Sequence, residues 1–215
     1  LDGIEIPVFN HFSTQGSAGG PQGILNVSFI DEVKLSSSAF DAKFDNALSS
    51  VFEFKQKRGN TEKLQGNIRM GATEFASTLE GPLSKNGKTT FLVSARRSYL
   101  QFLFRLLDLP IRPNFWDYQF KVTHSIDPKT TLTFIGVGAI DEFAFAAPRN
   151  STPQKVYALN ASPSINQWSY TMGVTLKRLI KKGYWNLAIS KNNLYNVNEK
   201  YEDNLNPDKG EKTFD

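Results

Sequence analysis

From Trp116 to Ile126 the chain places Trp116, Tyr118, Phe120, Val122, His124 and Ile126 at every second position, with Asp117, Gln119, Lys121, Thr123 and Ser125 between them. Successive side chains of a strand point to opposite faces, so this stretch predicts a strand with one apolar and one polar side. The same beat returns from Gln167 to Arg178, where Trp168, Tyr170, Met172, Val174 and Leu176 alternate with Ser169, Thr171, Gly173, Thr175 and Lys177. A soluble antiparallel sheet also alternates, with its apolar face turned inward. A membrane β-barrel turns that face outward to lipid, keeps the polar face in its lumen and sets Trp and Tyr at the headgroup level. Repeated strands tipped with aromatics point to the second arrangement.

Membrane helices are excluded, because each needs about 20 nearly uninterrupted apolar residues. The richest stretch here, Tyr99 to Leu109, is short and contains Arg105 and Asp108. With 215 residues, 40% hydrophobic and 21% charged, the chain has the make-up of a folded protein. Its net charge of +4 is small, and Lys85, Lys88, Lys129, Lys177, Arg178, Lys181 and Lys182 cluster in or beside turns. A nucleic-acid surface would set its cations among stacking aromatics on one face, whereas these aromatics alternate away from the polar side. No nucleic-acid partner is expected. Cysteine is absent, so there is no disulfide framework and no thiolate metal site.

Along the chain, a short strand around Ile4 to Ile6 leads into a loop from Pro7 to Gly23 that is rich in glycine, and long loops often carry function. Strand-like runs follow at Phe29 to Leu35 and Ser50 to Lys55, and Lys57 to Asn60 reads as a boundary. Beyond it about seven strands are expected: Leu64 to Ala72, Phe75 to Leu83, Thr89 to Leu100, Trp116 to Ile126, Thr131 to Ile140, Asn166 to Leu179 and Tyr184 to Tyr195. Tight polar turns at Ser84 to Lys88, Asp127 to Thr130 and Ile180 to Gly183 take turns with long connections at Gln101 to Phe115 and Asp141 to Ile165, the pattern of an outer-membrane barrel. The brief Thr73-Glu74 connection belongs with the long ones. The strand at Thr131 to Ile140 carries Ile135 and Val137 on its otherwise polar face, so something must cover it there too. Gly136 and Gly138 allow either a local bend or the close approach of another backbone.

Enzymatic motifs fail on inspection. Gly81 to Thr89 imitates a phosphate-binding loop, but its spacing is one residue too long and a strand, not a helix, follows. His11 and His124 have no partner at metal-ligand spacing, and no catalytic triad or close carboxylate pair stands out. Neither catalysis, a metal nor a cofactor is expected. His124 is assigned to packing on the apolar face, and His11, beside Asn10 and Phe12 in the glycine-rich loop, is a candidate for ligand contact.

Four stretches resemble the plug domain of TonB-dependent outer-membrane receptors: Leu1 to Pro7, Asn10-His11-Phe12, Phe29 to Val33 and Ala47 to Lys55. Glu80 to Leu83 and Ser94 to Leu100 resemble the second and third barrel strands of the same family. The chain departs from the family at Ser38 and Asp45, which stand where glycine is usual, and glycine alone accepts positive φ freely.

The resemblance implies an all-β-dominated fold: a transmembrane antiparallel β-barrel of about 22 strands in the parent protein, with part of a small α+β plug. Residues 1–60 would be the C-terminal half of the plug and residues 61–215 the first strands of an incomplete barrel. The start at Leu1-Asp2-Gly3, with neither methionine nor signal region, then suits a piece of a longer chain. The implied function is active import of a scarce nutrient (siderophore, cobalamin, glycan or peptide) across a bacterial outer membrane. TonB would act through an N-terminal segment that this chain lacks, outer-membrane lipid would surround the barrel, and a surface lipoprotein is a conceivable companion. Asn10, His11, Phe12 and Gln15 of the apical loop, with Arg112, Asn114 and Phe115 of an external loop, are the candidate ligand-facing residues. Two rivals stay open: a passive porin or structural barrel, and a soluble β-sandwich binding module with its apolar face packed inward.

Overall fold

The computed structural model describes residues 1–13, 20, 22–38, 41, 44, 47, 49–205 and 212–214. Gln15 and Asp45 lie outside the described residues. Two small antiparallel ribbons begin the chain: β1 (Asn10–His11) pairs with β2 (Gln22–Gly23), and β3 (Ile30–Ser37) pairs with β4 (Ser50–Gln56). Then come β5 (Gln65–Met70), β6 (Glu74–Pro82), β7 (Thr89–Ser98), β8 (Ile111–Asp127), β9 (Thr130–Phe145), β10 (Ser164–Ile180), β11 (Gly183–Tyr201) and the short β12 (Lys212–Phe214). These eight pair antiparallel in strict chain order, as a meander in which every strand neighbours its successors in sequence. Among the described residues β5 and β12 are the two edges and do not pair with each other, so the expected barrel is represented by an open sheet. No helix among them is long and apolar enough to cross a membrane.

The seven expected strands coincide with β5 to β11, and the connections after β6, β8 and β10 are the predicted tight turns. At the opposite end the structure corrects the sequence reading. Gln101 to Phe115 is not a continuous loop: it holds a short helix, α1 (Leu100–Leu106), and the first five residues of β8. Arg112, Asn114 and Phe115 therefore lie on a strand. Strand β8 extends this far because β9 pairs with it up to Ile111↔Phe145, while β7 stops pairing at Arg97↔Trp116. Pro113 is tolerated where β8 has only one strand neighbour. The other long connection contains a second helix, α2 (Pro153–Ala161), started by Thr152, whose hydroxyl accepts a hydrogen bond from the Lys155 N–H, and by Pro153 in the first turn.

Burial on the large sheet is inverted relative to a soluble protein. The polar alternates Thr90, Ser94, Arg96 and Ser98 of β7, Asp117, Gln119, Lys121 and Thr123 of β8, and Gln167, Thr171 and Thr175 of β10 are buried. The apolar alternates Phe75, Val93, Trp116, Phe134, Ile140, Trp168, Met172 and Val174 are exposed. What meets the polar face is the N-terminal segment, through Asp2, Ile4, His11, Asn26 and Gln56. Ile135, Val137 and Ala139 of β9 form, with Leu1, Ile4 and Ile24, the one cluster of buried apolar residues there, which meets the expectation that both sides of β9 need cover.

On the outer face the register draws a row straight across the strands: Met70↔Phe75, Phe75↔Arg97, Arg97↔Trp116, Trp116↔Ile140, Ile140↔Trp168 and Trp168↔Tyr195. Ten residues further along β10 on the same face, Arg178 pairs with Trp185. The two levels are about 33 Å apart along the strand, or about 25 Å for a strand tilted as in outer-membrane barrels.

Gly136 and Gly138 neither bend the sheet at a visible break nor admit a backbone. They sit opposite Phe120 and Tyr118, and a Cβ on either would fall 2.2 Å and 2.4 Å from those rings. Gly173 on the inner face makes room for Ile4 in the same manner, at 2.2 Å. Ser38 has a left-handed φ of 68°, a conformation that glycine accepts more readily.

Replacing Gly138 by Val is expected to drive the Tyr118 ring out of its place and cost about 1 to 3 kcal/mol. Ser38→Gly, by relieving a left-handed backbone, should add about 1 kcal/mol. Both effects are read from urea unfolding.

Candidate functional site

The strongest concentration of buried polar groups lies where β1 meets β7, β8 and β9. Alternation points Arg96, Asp117 and Asp141 to the inner face, and pairing sets Arg96 opposite Asp117. His11, at the end of β1, is inserted between them and is fully buried. Its Nδ1 lies 2.5 Å from Asp141 Oδ1 and its Nε2 2.9 Å from Asp117 Oδ2. Because the two ring nitrogens face separate carboxylates, they cannot converge with them on one ion, and among the described residues no cluster suits a metal.

The surrounding bonds complete a network. Arg96 Nε donates to both oxygens of Asp117, at 2.9 and 3.0 Å, and its terminal nitrogens reach the Gly23 carbonyl at 2.6 Å and Glu74 at 3.6 Å. Gln22 Nε2 donates to Glu74. Asp141 Oδ2 accepts from the Phe12 N–H at 3.0 Å and from Gln167 Nε2 at 2.5 Å. Buried charges persist only when paired or hydrogen-bonded, and here Asp117 and Glu74 meet Arg96 while Asp141 is bonded by His11, Phe12 and Gln167. Burial by itself, the largest influence, disfavours the imidazolium of His11. The hydrogen bonds to Asp117 and Asp141 and the charges of both carboxylates outweigh it and raise its pKa above the usual 6.5.

A second group of bonds ties the same N-terminal segment nearer the tight-turn end of the strands. Lys121 Nζ pairs with Asp2 at 3.0 Å and donates to the Gln56 carbonyl at 2.9 Å. The Asn26 N–H donates to Gln119 Oε1 at 2.8 Å, and Asn26 Nδ2 donates to Ser94 Oγ at 2.7 Å. At the other end Asn196 Nδ2 of β11 reaches the Ser13 carbonyl at 3.3 Å.

Alternation sorts the candidate ligand residues. Phe115 faces inward and is buried, with its ring stacked on His11 at 4.0 Å between centres. Phe12 joins them, with edge-on contacts to Phe115 and Phe143 and a left-handed φ of 55°. Such backbone costs of order 1 to 3 kcal/mol and persists only where the surroundings impose it, as the bond to Asp141 and the three rings do here. Asn10, half-buried on β1, adjoins this group. Arg112 and Asn114 lie on the opposite face of β8: Arg112 bonds its own turn at Leu109 and Ile111, and Asn114 donates to Glu142 at 3.3 Å. The structure thus gathers His11, Phe12 and Phe115 and separates them from Arg112 and Asn114. His124 accepts or donates one bond, 2.8 Å from Thr89 Oγ1.

The two helical connections meet through Asp108, whose carboxyl is held down to about 2 by the Lys155 ammonium and the backbone N–H groups of Arg149 and Asn150. It therefore stays charged at any ordinary pH.

No family model and no curated protein matches the chain. Among solved structures it is similar to a chain of the FpvAI–pyocin S2 complex, with a TM-score of 0.48 and 15% identity over 72% of this chain. The chain spans 23% of that structure's length.

The raised pKa of His11 fixes a sign. Its contribution to holding the segment is complete below about 6.5, the unfolded value, and is lost as the pH rises through the higher folded value. Digestion of the N-terminal segment by a protease is expected to quicken over that rise. His11→Ala, which leaves two aspartates facing one arginine, should cost about 3 kcal/mol and abolish this pH dependence.

Proposed function

We propose that the chain belongs to a TonB-dependent outer-membrane receptor that imports a scarce nutrient, with residues 1–60 as part of its plug and residues 61–215 as barrel strands. The observation that carries this reading is the inverted burial: polar alternates inside against the N-terminal segment, apolar alternates outside beneath a cross-strand row that includes Trp116, Trp168 and Tyr195. The spacing of about 25 Å between that row and the Trp185 level equals the height of an outer-membrane apolar band. A β-sandwich would bury the face that is exposed here. A passive porin would need an open lumen, and here Asp2, Ile4, His11, Asn26 and Gln56 of the N-terminal segment lie against the inner face.

The character of the contact also suits an element that must move. Apart from the Ile4 and Ile24 cluster, the segment is held by hydrogen bonds and ion pairs, the make-up of interfaces that part and reform. On this reading His11 and Phe115 position the apical turn, while the half-buried Phe12 and Asn10 are the residues nearest to a cargo. The cargo class, siderophore, cobalamin, glycan or peptide, is set by loops of the whole receptor, and a surface lipoprotein is an optional partner.

The full-length parent should fractionate with the outer membrane and migrate differently on a gel in mild detergent before and after boiling; a soluble protein with no shift would sink the proposal. A sharper test is Met172→Arg, midway between the two aromatic levels. A lipid-facing position predicts a loss of about 2 to 4 kcal/mol in vesicles, against less than about 0.5 kcal/mol for an ordinary wet surface.

A further inference from the structure

The row across the outer face is apolar or aromatic at every strand from β5 to β11 except β7, where Arg97 stands between Phe75 and Trp116. Its guanidinium lies 4.4 Å from the Trp116 ring centre, and among the described residues it meets no carboxylate. A cation stacked on one face keeps its in-plane N–H donors available, and that planar fork matches the oxygens of a phosphate.

Arg97 is also part of a groove of about 590 Å³ between the sheet and the start of α1, lined by Phe75, Arg97, Tyr99, Gln101, Phe102 and Trp116. One step down the strands, below Arg97, the row holds the small pair Ser77↔Ala95, and the step after that holds Leu79↔Val93. The groove therefore opens onto an apolar track, with the charge at its head and exposed Leu79 and Val93 along it. The free face of α1 continues the wall, with Phe102 58% exposed.

We infer that this groove binds one phosphate-bearing lipid of the surrounding leaflet, its phosphate on Arg97 and an acyl chain lying over Ala95 and Val93. This rests on the membrane reading above, which puts the aromatic row at the headgroup level. Charge complementarity selects an anion, and the apolar track continuous with the head site selects an acylated one: a free phosphate would leave the track wet, and a neutral lipid would leave the guanidinium unpaired. Arginines among interfacial aromatics are suited to anionic headgroups.

The test uses the full-length protein purified in mild detergent, with binding counted by native mass spectrometry. Three probes separate the elements: dioleoyl phosphatidic acid, dioleoylglycerol with the same chains but no phosphate, and inorganic phosphate with no chains. One phosphatidic acid per protein is expected, with the other two at least tenfold weaker. Arg97→Gln should weaken the lipid at least tenfold and Arg97→Lys by less, because the fork is lost but the charge kept. Ala95→Leu should weaken it by blocking the track without changing charge. Arg97→Gln binding as tightly as the unchanged protein, or inorganic phosphate competing as well as the lipid, overturns the proposal. A gel shift on heating that survives in Arg97→Gln shows that the barrel is intact, so that such a failure belongs to the lipid site; a native protein soluble without detergent would instead show that the membrane reading itself had failed.

Discussion

A buried polar side chain costs free energy unless something inside the protein bonds to it, and in this chain almost the whole inner face of the sheet is polar. The N-terminal segment supplies partners for the charged side chains Lys121, Asp117, Asp141 and Arg96 and for several of the neutral ones. His11 sits between Asp117 and Asp141, Asp2 meets Lys121, and Asn26 is bonded to Gln119 and Ser94. The sheet and the segment are therefore each other's solvent. Removing the segment would expose the strands' carboxylates and cations to water rather than leave a hydrophobic wound, which is why such a contact can be strong in sum and still separable.

The outer face obeys the opposite requirement. Its apolar alternates meet one another across and along the strands, as Phe120 meets Phe134 and Trp168 meets Tyr195, and the glycines at 136 and 138 lie under the rings of Phe120 and Tyr118. Asn193 and Lys191, which pair with Tyr170 and Met172, are polar exceptions on this face of β11.

The strands were legible because a period of two that runs for eight or more residues admits few other conformations. Tight turns with Asn86-Gly87 or Lys182-Gly183 were legible for the same local reason. The ends of β8 were not: Pro113 and the flanking loop residues disguise a strand that only its pairing with β9 specifies. Helices α1 and α2 were missed because seven and nine residues give too short a period to read. The tether was invisible for a different reason. His11 and its partners are 106 and 130 residues apart in sequence, and nothing local marks Asp117 or Asp141 among the other polar alternates. The only signal was indirect: Ile135 and Val137 on a polar face announced that something covers it, without saying what. The same ignorance of register placed Arg112 and Asn114 beside Phe115 in one imagined loop, where strand alternation sets them back to back.

That small apolar patch has a further meaning. Ile135, Val137 and Ala139 stand on an otherwise water-compatible wall, and Leu1, Ile4 and Ile24 are the residues that shelter them, with Gly173 hollowed to receive Ile4. Without the segment these six side chains would be unfavourably wetted at opposite sides of the gap, as would Phe115 beneath His11. Ion pairs are compatible with several alignments, but the shape of Ile4 against Gly173 admits one, so this patch sets the register between segment and sheet.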